Sequence, residues 1–195
     1  MSHERRIILA SGSPYRRQLL ERLELAFEVH PADIDESGRA GESPDALVLR
    51  LSCAKAAAVA GAHPGALIIG SDQVAEIDGR ALGKPGGHEG ALDQLARLSG
   101  RRVRFLTGVC LLDARGGDRD SCSVATEVVF RELAPTEIER YVTRERPYDC
   151  AGSFRSEALG ISLFRAVHGD DPTALMGLPL IRLAEMLRAR GVRVP

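Results

Sequence analysis

Apolar residues follow two different periods along this chain, and the change of period marks out strands and helices. Ile7-Ile8-Leu9 is a short continuous apolar run, and residues 66–77 form a longer segment rich in apolar residues, as is typical of buried strands. Ser13-Pro14 and Ser43-Pro44 each precede apolar residues at helical spacing, and a serine followed by a proline favours a helix start. The second of these helices is predicted to end near Gly61.

The same patterns predict the elements of the remaining chain. Strands are predicted at 27–31, 103–112, 121–130 and 158–167, and helices at 89–98, 135–143 and 178–190. Asp78-Gly79 predicts a tight turn directly after the strand at 66–77. Helices and strands alternate without repeats or a long linker, so the sequence predicts a mixed α/β fold.

Composition and charge narrow the class of protein. The chain has 195 residues, of which 44% are hydrophobic and 27% charged, as in globular proteins with one substantial core. Its formal net charge of −1 gives no general attraction to nucleic acid or anionic membranes, and we expect neither as a partner. The apolar run after Arg5 and Arg6 is shorter than that of a signal peptide, and no stretch is long enough to span a bilayer. We therefore expect a cytoplasmic protein whose four cysteines are reduced thiols rather than zinc ligands.

The segment Ser11-Gly12-Ser13-Pro14-Tyr15-Arg16-Arg17 has the features of an anion site. A strand followed by small residues and a helix start presents unpaired backbone N–H groups, which favour negative charge together with the helix dipole. Two arginines in the first turn oppose that dipole, and a bound polyanion would remove the conflict. The alternative interpretation is that Arg16 and Arg17 are solvated surface residues.

Asp72 interrupts the long apolar strand within Gly70-Ser71-Asp72-Gln73. A buried aspartate needs a metal ion, a cation or hydrogen-bond donors, so a functional role and a turn cap are both open interpretations. Lys55, in an alanine-rich helix, and Lys84, in the turn Gly83-Lys84-Pro85, are candidate cations, although a lone lysine commonly extends to solvent.

An acidic loop and a glycine-serine loop complete the candidates. Asp33, Asp35 and Glu36 carry oxygen ligands that suit Mg²⁺ or Mn²⁺, and a solvated loop is the alternative. Residues 151–157 place an aromatic, a basic and an acidic side chain in one loop, which indicates either a recognition loop or an ordinary connection.

In this order, the motifs resemble those of the Maf family of nucleoside triphosphate pyrophosphatases over essentially the whole chain. The resemblance lies in residues 11–20, Asp35-Glu36, Lys55-Ala56, residues 70–74, Gly83-Lys84-Pro85, Ser99-Gly100, Thr107-Gly108 and residues 149–154. It implies a single domain, 1–195, with an elongated, two-lobed mixed α/β fold, a mixed sheet and a central cleft, similar to that of inosine triphosphatases. A homodimer is a further expectation from the family.

Three features resemble the subgroup that acts on 7-methyl-GTP. They are Ser71-Asp72-Gln73-Val74, residues 152–157 and Gly177-Leu178-Pro179-Leu180. The branch acting on dTTP and UTP typically has Ala-Asp-Thr at the first position, and its histidine between Ser-Gly and Thr-Gly is absent from residues 101–106. Tyr15 stands where the subgroup often has tryptophan, so a dTTP/UTP or broader preference remains an alternative, as does a nucleotide-sensing regulator of cell division without hydrolysis.

The resemblance also implies a role for each site residue. Asp72 would be the proton acceptor, and Asp72 with Glu36 would hold a divalent cation, Mg²⁺ or Mn²⁺. The triphosphate would be bound by Ser13, Arg16, Arg17, Lys55 and Lys84. Tyr15, Gln73 and Glu157 would recognise the base: tyrosine stacks on the cationic 7-methylguanine ring, and the glutamate accepts hydrogen bonds from it. The expected products are a nucleoside monophosphate and pyrophosphate.

Overall fold

The computed structural model describes residues 5–195 and contains a seven-stranded mixed sheet with helices. The strands are β1 (Ile7–Leu9), β2 (Glu28–Val29), β3 (Leu67–Ile77), β4 (Arg80–Leu82), β5 (Arg102–Asp113), β6 (Arg119–Phe130) and β7 (Phe164–Gly169). The α-helices are α1 (Pro14–Glu21), α2 (Pro44–Ala60), α3 (His88–Leu98), α4 (Pro135–Glu145) and α5 (Leu180–Ala189). Short 3₁₀ turns span Ala151–Ser153, Leu159–Leu163 and Ala174–Met176.

The sheet order is β2-β1-β3-β5-β6-β7, with β4 paired to β3. The strand β1 is parallel to both β2 and β3, whereas β4 is antiparallel to β3 and β7 is antiparallel to β6. Parallel and antiparallel pairs therefore occur in one sheet, and the predicted mixed α/β fold is confirmed.

Two helices begin where the Ser-Pro pairs predicted. The Ser13 hydroxyl accepts a hydrogen bond from the Arg16 amide at 3.4 Å, and the Ser43 hydroxyl accepts one from the Ala46 amide at 3.2 Å. Proline occupies the first helical position of both α1 and α2. The serine satisfies an amide that would otherwise lack a partner, and proline has no amide hydrogen to lose there.

The chain forms two compact units. The first comprises residues 5–72, Thr107–Val124 and Asp171–Pro195, and the second comprises Gln73–Leu106 and Ala125–Asp170. In the first unit, successive side chains of β1 enter different hydrophobic clusters, because side chains alternate between the two faces of a strand. Ile7 and Leu9 pack in the cluster that contains leucines of α1 and α5, whereas Ile8 packs with Ala56 and Val59 of α2.

Aromatic rings form part of the core of the second unit. Phe154 lies edge-to-face against Phe105, Phe130 and Phe164, with ring centroids 5.0, 5.7 and 4.8 Å apart. This geometry places the positive edge of one ring against the negative face of the next. The loop at residues 151–157 is thereby anchored through Phe154, which is buried.

The strand predicted at 158–167 is correct only in its second half. Leu159–Leu163 is a 3₁₀ turn, and β7 begins at Phe164. The Ser162 hydroxyl donates to the Leu159 carbonyl at 2.7 Å, so a local bond takes the acceptor that a strand would use. The strand predicted at 27–31 is also shorter, because only Glu28–Val29 pairs with β1. The prediction that the chain has no signal peptide concerns its first residues, and residues 1–4 lie outside the described residues.

Candidate active site

Two glycines allow α2 to lie directly against the sheet. A Cβ atom on Gly70 of β3 would stand 2.0 Å from the Ser52 carbonyl oxygen, and one on Gly108 of β5 would stand 2.4 Å from that of Val48. No side chain fits at either position unless the helix moves. This close approach of backbone to backbone brings Lys55, one turn further along α2, next to Asp72, two residues further along β3.

Lys55 is the centre of a charged cluster. Its Nζ lies 2.6 Å from Asp72 Oδ1 and 2.6 Å from Glu36 Oε1. The side chains of Lys55 and Asp72 are only 8% and 10% exposed, and burial of either charge alone would be unfavourable. The second oxygen of Asp72, Oδ2, accepts no hydrogen bond from any residue in the range 5–195. It is therefore positioned to accept a hydrogen bond or a proton from a ligand.

Arg16 supplies a second cation from the first turn of α1. Its Nε donates to the Gly177 carbonyl at 2.8 Å, and its Nη1 donates to the Ser11 hydroxyl at 3.3 Å. Burial lowers the pKa of Arg16, while the negative charges of Asp72 and Glu36 act in the opposite direction. An arginine remains charged in proteins. Two carboxylates and two cations are thus grouped near the start of α1.

The arrangement leaves donors for an anionic ligand. Nη2 of Arg16 makes no hydrogen bond within the described part of the chain. The planar guanidinium presents paired N–H groups that match the oxygens of a phosphate. The predicted anion site at the start of α1 therefore has one arginine in place.

Three other predicted residues lie on α1 or at its N-terminal cap. Tyr15 is partly buried on α1, and the hydroxyl of Ser13 is used for the helix cap. Arg17 is exposed and forms an ion pair with Glu21 at 3.0 Å, which is the surface alternative for that residue.

Three predicted residues belong to the second unit. Gln73 follows Asp72 directly in β3 and is partly buried. Lys84 is exposed between β4 and α3. Glu157 is exposed beside Ser156, whose hydroxyl donates to Glu157 Oε2 at 3.3 Å.

Sequence reasoning gave no role to the turn that ends at Gly177. Asp171 is buried, and its Oδ1 accepts the Thr173 amide at 2.9 Å while its Oδ2 accepts the Ile181 amide at 2.8 Å. The local sequence here, Asp170-Asp171-Pro172, consists of residue types that are common in turns. The hydrogen bond between Arg16 and Gly177 of this turn joins residues 161 positions apart, and no local pattern in the sequence indicates it.

Comparison with known proteins decides the family. The family model described as "Maf-like protein" matches residues 6–190. The chain belongs to the Maf family. The family predicted from the motifs is therefore confirmed.

This Maf protein has relatives of nearly equal length. It is 56% identical to a 7-methyl-GTP pyrophosphatase of Cupriavidus pinatubonensis over 95% of this chain and 94% of that protein. It is also 56% identical to a 7-methyl-GTP pyrophosphatase of Pseudomonas aeruginosa, over 97% of this chain and 98% of that protein.

A solved structure agrees with the fold. A HAM1 protein from Coxiella burnetii superposes with a TM-score of 0.56 at 16% identity, covering 95% of this chain and all of that one. At this identity the likeness concerns the fold alone.

Neither a membrane-spanning helix nor a larger cluster of metal-ligating side chains occurs among the described residues. Within residues 5–195, no helix combines the length and the apolar character needed to cross a membrane. The same residues contain no group of three or more histidine, cysteine, aspartate or glutamate side chains that could hold a metal ion.

Proposed function

We propose that this Maf protein hydrolyses 7-methyl-GTP between its α- and β-phosphates, releasing 7-methyl-GMP and pyrophosphate. The observation that carries the proposal is the buried pair of Asp72 and Lys55, joined by Glu36 and Arg16, in a chain 56% identical to two proteins of that name. Removal of such nucleotides would keep modified bases out of nucleic acids.

Asp72 is the candidate proton acceptor. Its Oδ1 is held by Lys55, so the carboxylate is oriented, and its Oδ2 is available to a water molecule. As that water attacks phosphorus, its proton passes to Asp72 while the bond to the bridging oxygen breaks and pyrophosphate leaves.

The cations would bind the phosphate chain of the substrate. Arg16 is fixed by Gly177 and Ser11 and retains the two N–H groups of Nη2 for phosphate oxygens. A preorganised donor of this kind stabilises charge that develops on the leaving group without having to reorient. The dipole of α1 adds a favourable partial charge at its N-terminus.

A divalent cation fits the donor set. Mg²⁺ or Mn²⁺ binds one or two protein carboxylates and completes its coordination shell with water and phosphate oxygens. The carboxylates of Asp72 and Glu36 lie close together, because both contact the ammonium group of Lys55. These two residues would hold the ion, which when bound supplies positive charge that polarises phosphoryl oxygens. Before the substrate arrives, Lys55 and Arg16 together offset the negative charges of these two residues.

Base recognition by Tyr15, Gln73 and Glu157 stays a prediction from the sequence. Methylation at N7 makes guanine cationic, so a tyrosine face and an acidic side chain are the complementary partners. Cytoplasmic location, a homodimer and the absence of nucleic-acid and membrane partners also stay predictions.

A nucleotide panel tests the proposal. Purified protein is incubated with 7-methyl-GTP, GTP, UTP and dTTP in Mg²⁺ or Mn²⁺, and pyrophosphate is resolved from orthophosphate. We expect the fastest turnover for 7-methyl-GTP and pyrophosphate as the product. The Asp72→Asn protein, purified in parallel, controls for contaminating phosphatases. Equal rates on all four nucleotides would reject the base preference, and orthophosphate release would reject the proposed bond.

A further inference from the structure

One backbone carbonyl joins two side chains that the sequence gives no reason to connect. The oxygen of Gly177 accepts a hydrogen bond from Arg16 Nε at 2.8 Å and another from the Ser71 hydroxyl at 2.9 Å. A carbonyl oxygen has two lone pairs, so it can accept from both donors at once. The direction of this carbonyl therefore depends on Ser71 as well as on the turn that carries it.

Ser71 lies beside Asp72 but serves the other face of β3. Successive side chains of a strand point to opposite faces, so the two side chains leave the backbone in opposite directions. Ser71 is fully buried, and its hydroxyl also lies 2.7 Å from the Gly108 carbonyl. The single hydrogen of this hydroxyl is therefore shared between the carbonyls of Gly108 and Gly177. Its contacts are with backbone carbonyls, so its effect on chemistry is indirect.

The turn that presents Gly177 is itself fixed from several sides. Asp171 accepts hydrogen bonds from Thr173 and from the first turn of α5, and the Thr107 hydroxyl donates to the Ala174 carbonyl at 2.9 Å. Gly177 has a φ of +112°, a conformation in which other residues are strained. Because the turn is held at these points, a change in the direction of the Gly177 carbonyl would reach Arg16 and would not be taken up by movement of the turn.

Arg16 lies directly on this backbone. A Cβ atom on Gly177 would stand 3.5 Å from Arg16 Nε, which is an ordinary contact distance, so the guanidinium lies directly beside this residue. The bond at Nε fixes the plane of the guanidinium, and with it the direction of Nη2. Loss of the Ser71 hydroxyl would leave the Gly177 oxygen held by Arg16 alone.

We propose that Ser71 is a positioning residue, which acts through the Gly177 carbonyl to hold the Arg16 guanidinium in the orientation that binds the phosphate chain. The phosphate role rests on the proposed function. The orientation of Arg16 by Ser71 is a property of the folded protein before any substrate binds. The two parts are therefore tested by separate measurements.

Nuclear magnetic resonance tests the orientation without catalysis. The Nε–H signal of Arg16 is assigned through its disappearance in Arg16→Lys. In the unaltered protein we expect slow exchange with solvent, because this hydrogen is bonded to Gly177. In Ser71→Ala we expect the signal to shift and to exchange at least about tenfold faster, since the carbonyl is less well held. An unchanged signal in folded Ser71→Ala would overturn the proposal.

A kinetic double-mutant cycle tests the consequence for the reaction. Ser71→Ala should lower kcat/KM for the nucleotide about tenfold when Arg16 is present and less than about twofold in the Arg16→Lys background. Lysine keeps the positive charge beside Asp72 and Glu36 but lacks the planar fork. Strictly multiplicative losses would show that Ser71 acts independently of Arg16 and would overturn the proposal.

A matched control separates positioning from the general loss of a buried hydroxyl. Ser52 is equally buried, and its hydroxyl donates to the Val48 carbonyl within α2 at 2.5 Å. Ser52→Ala removes the same atom and should leave both the Arg16 signal and the cycle unchanged. If Ser71→Ala does not fold, Ser71→Cys retains a weak donor and carries the same comparison. If no nucleotide is hydrolysed, the proposed function fails, while the Arg16 signal still decides this proposal.

Discussion

Two charged clusters of the first unit each contain a buried ion pair but differ in how the carboxylate of that pair is satisfied. Arg5 binds Asp113 through both ends of its guanidinium, at 2.6 and 2.5 Å, and Asp113 Oδ1 also accepts the Arg115 amide. The side chains of Arg5 and Asp113 are 14% and 16% exposed, close to the 8% and 10% of Lys55 and Asp72.

The difference lies in the geometry of the cation. The arginine fork occupies both oxygens of Asp113, whereas the lysine ammonium occupies one oxygen of Asp72 and is shared with Glu36. A carboxylate with both oxygens bonded is a structural link. A buried carboxylate with an oxygen that no described residue binds is suited to chemistry. Burial alone would not have distinguished the two clusters.

The largest expected effect is that of Asp72→Asn. We expect kcat to fall by a factor of about 10²–10⁴, because an amide cannot accept the proton of the attacking water. Nucleotide binding, measured by calorimetry, should be retained, since Lys55 keeps Glu36 as a partner and Arg16 is unchanged. Asp113→Asn makes the same chemical change in the other cluster and should leave kcat within about twofold. Comparable losses of kcat in both variants would remove the distinction.

Gly70→Ala should disrupt the close contact between α2 and β3 that brings Lys55 next to Asp72. The new methyl group would meet the Ser52 carbonyl, so α2 must move away and carry Lys55 with it. We expect a loss of stability of about 1–3 kcal/mol or more, together with reduced turnover. Thermal unfolding followed by circular dichroism measures the first effect. Gly61→Ala is the control, since no atom lies within 4 Å of its Cβ position. A fully active, equally stable Gly70→Ala protein would refute this explanation of the close approach.

Local signals in the sequence were sufficient for the helix starts and for the charged residues. Ser13 and Ser43 cap their helices as predicted, because a cap depends only on residues two or three positions away. The turn at Asp78-Gly79 was predicted for the same reason, and both residues have positive φ. Asp72, Lys55 and Glu36 were singled out as candidates by their residue types and settings.

Contacts between distant segments could not be read from those signals. Ser71 and Gly177 are 106 positions apart, and no periodicity connects them. The close approach of α2 to Gly70 and Gly108 follows from the fold, since a glycine in a strand is otherwise only unfavourable. The strand wrongly predicted at 159–163 has a related cause, since burial also depends on the fold. Ile161 is apolar and therefore fitted the alternating pattern of a buried strand, but its side chain is exposed.

Asp113→Asn should affect stability rather than turnover, and only above acidic pH. Hydrogen bonding to Arg5 holds the pKa of Asp113 below its usual value of 3.8. At acidic pH the unfolded chain therefore binds this proton more readily than the folded one. The stabilisation is complete above the unfolded pKa and is lost as the pH falls through the folded value.

The expected difference in stability between the unaltered protein and Asp113→Asn is about 1–2 kcal/mol at neutral pH. It corresponds to a Tm lower by a few degrees, about 2–4 °C for each kcal/mol in a chain of this size. The difference should shrink progressively as the pH falls below about 4. A series of melting curves from neutral to acidic pH measures it. A constant difference in Tm across the series would mean that the ionised carboxylate is not what stabilises the fold.

The smallest effect is expected for Arg17→Ala, and it contrasts two adjacent arginines. Arg16 is held by Gly177 and Ser11, whereas Arg17 is 63% exposed and paired with Glu21 four residues along α1. An exposed pair of this spacing contributes about 0.3–0.5 kcal/mol. We expect kcat/KM to change by less than about twofold, against tenfold or more for Arg16→Ala measured in parallel. The family resemblance assigned both arginines to phosphate binding. A loss in Arg17→Ala close to that of Arg16→Ala would mean that Arg17 leaves Glu21 for the substrate, and that an exposed ion pair can conceal a binding residue as well as mark a structural one.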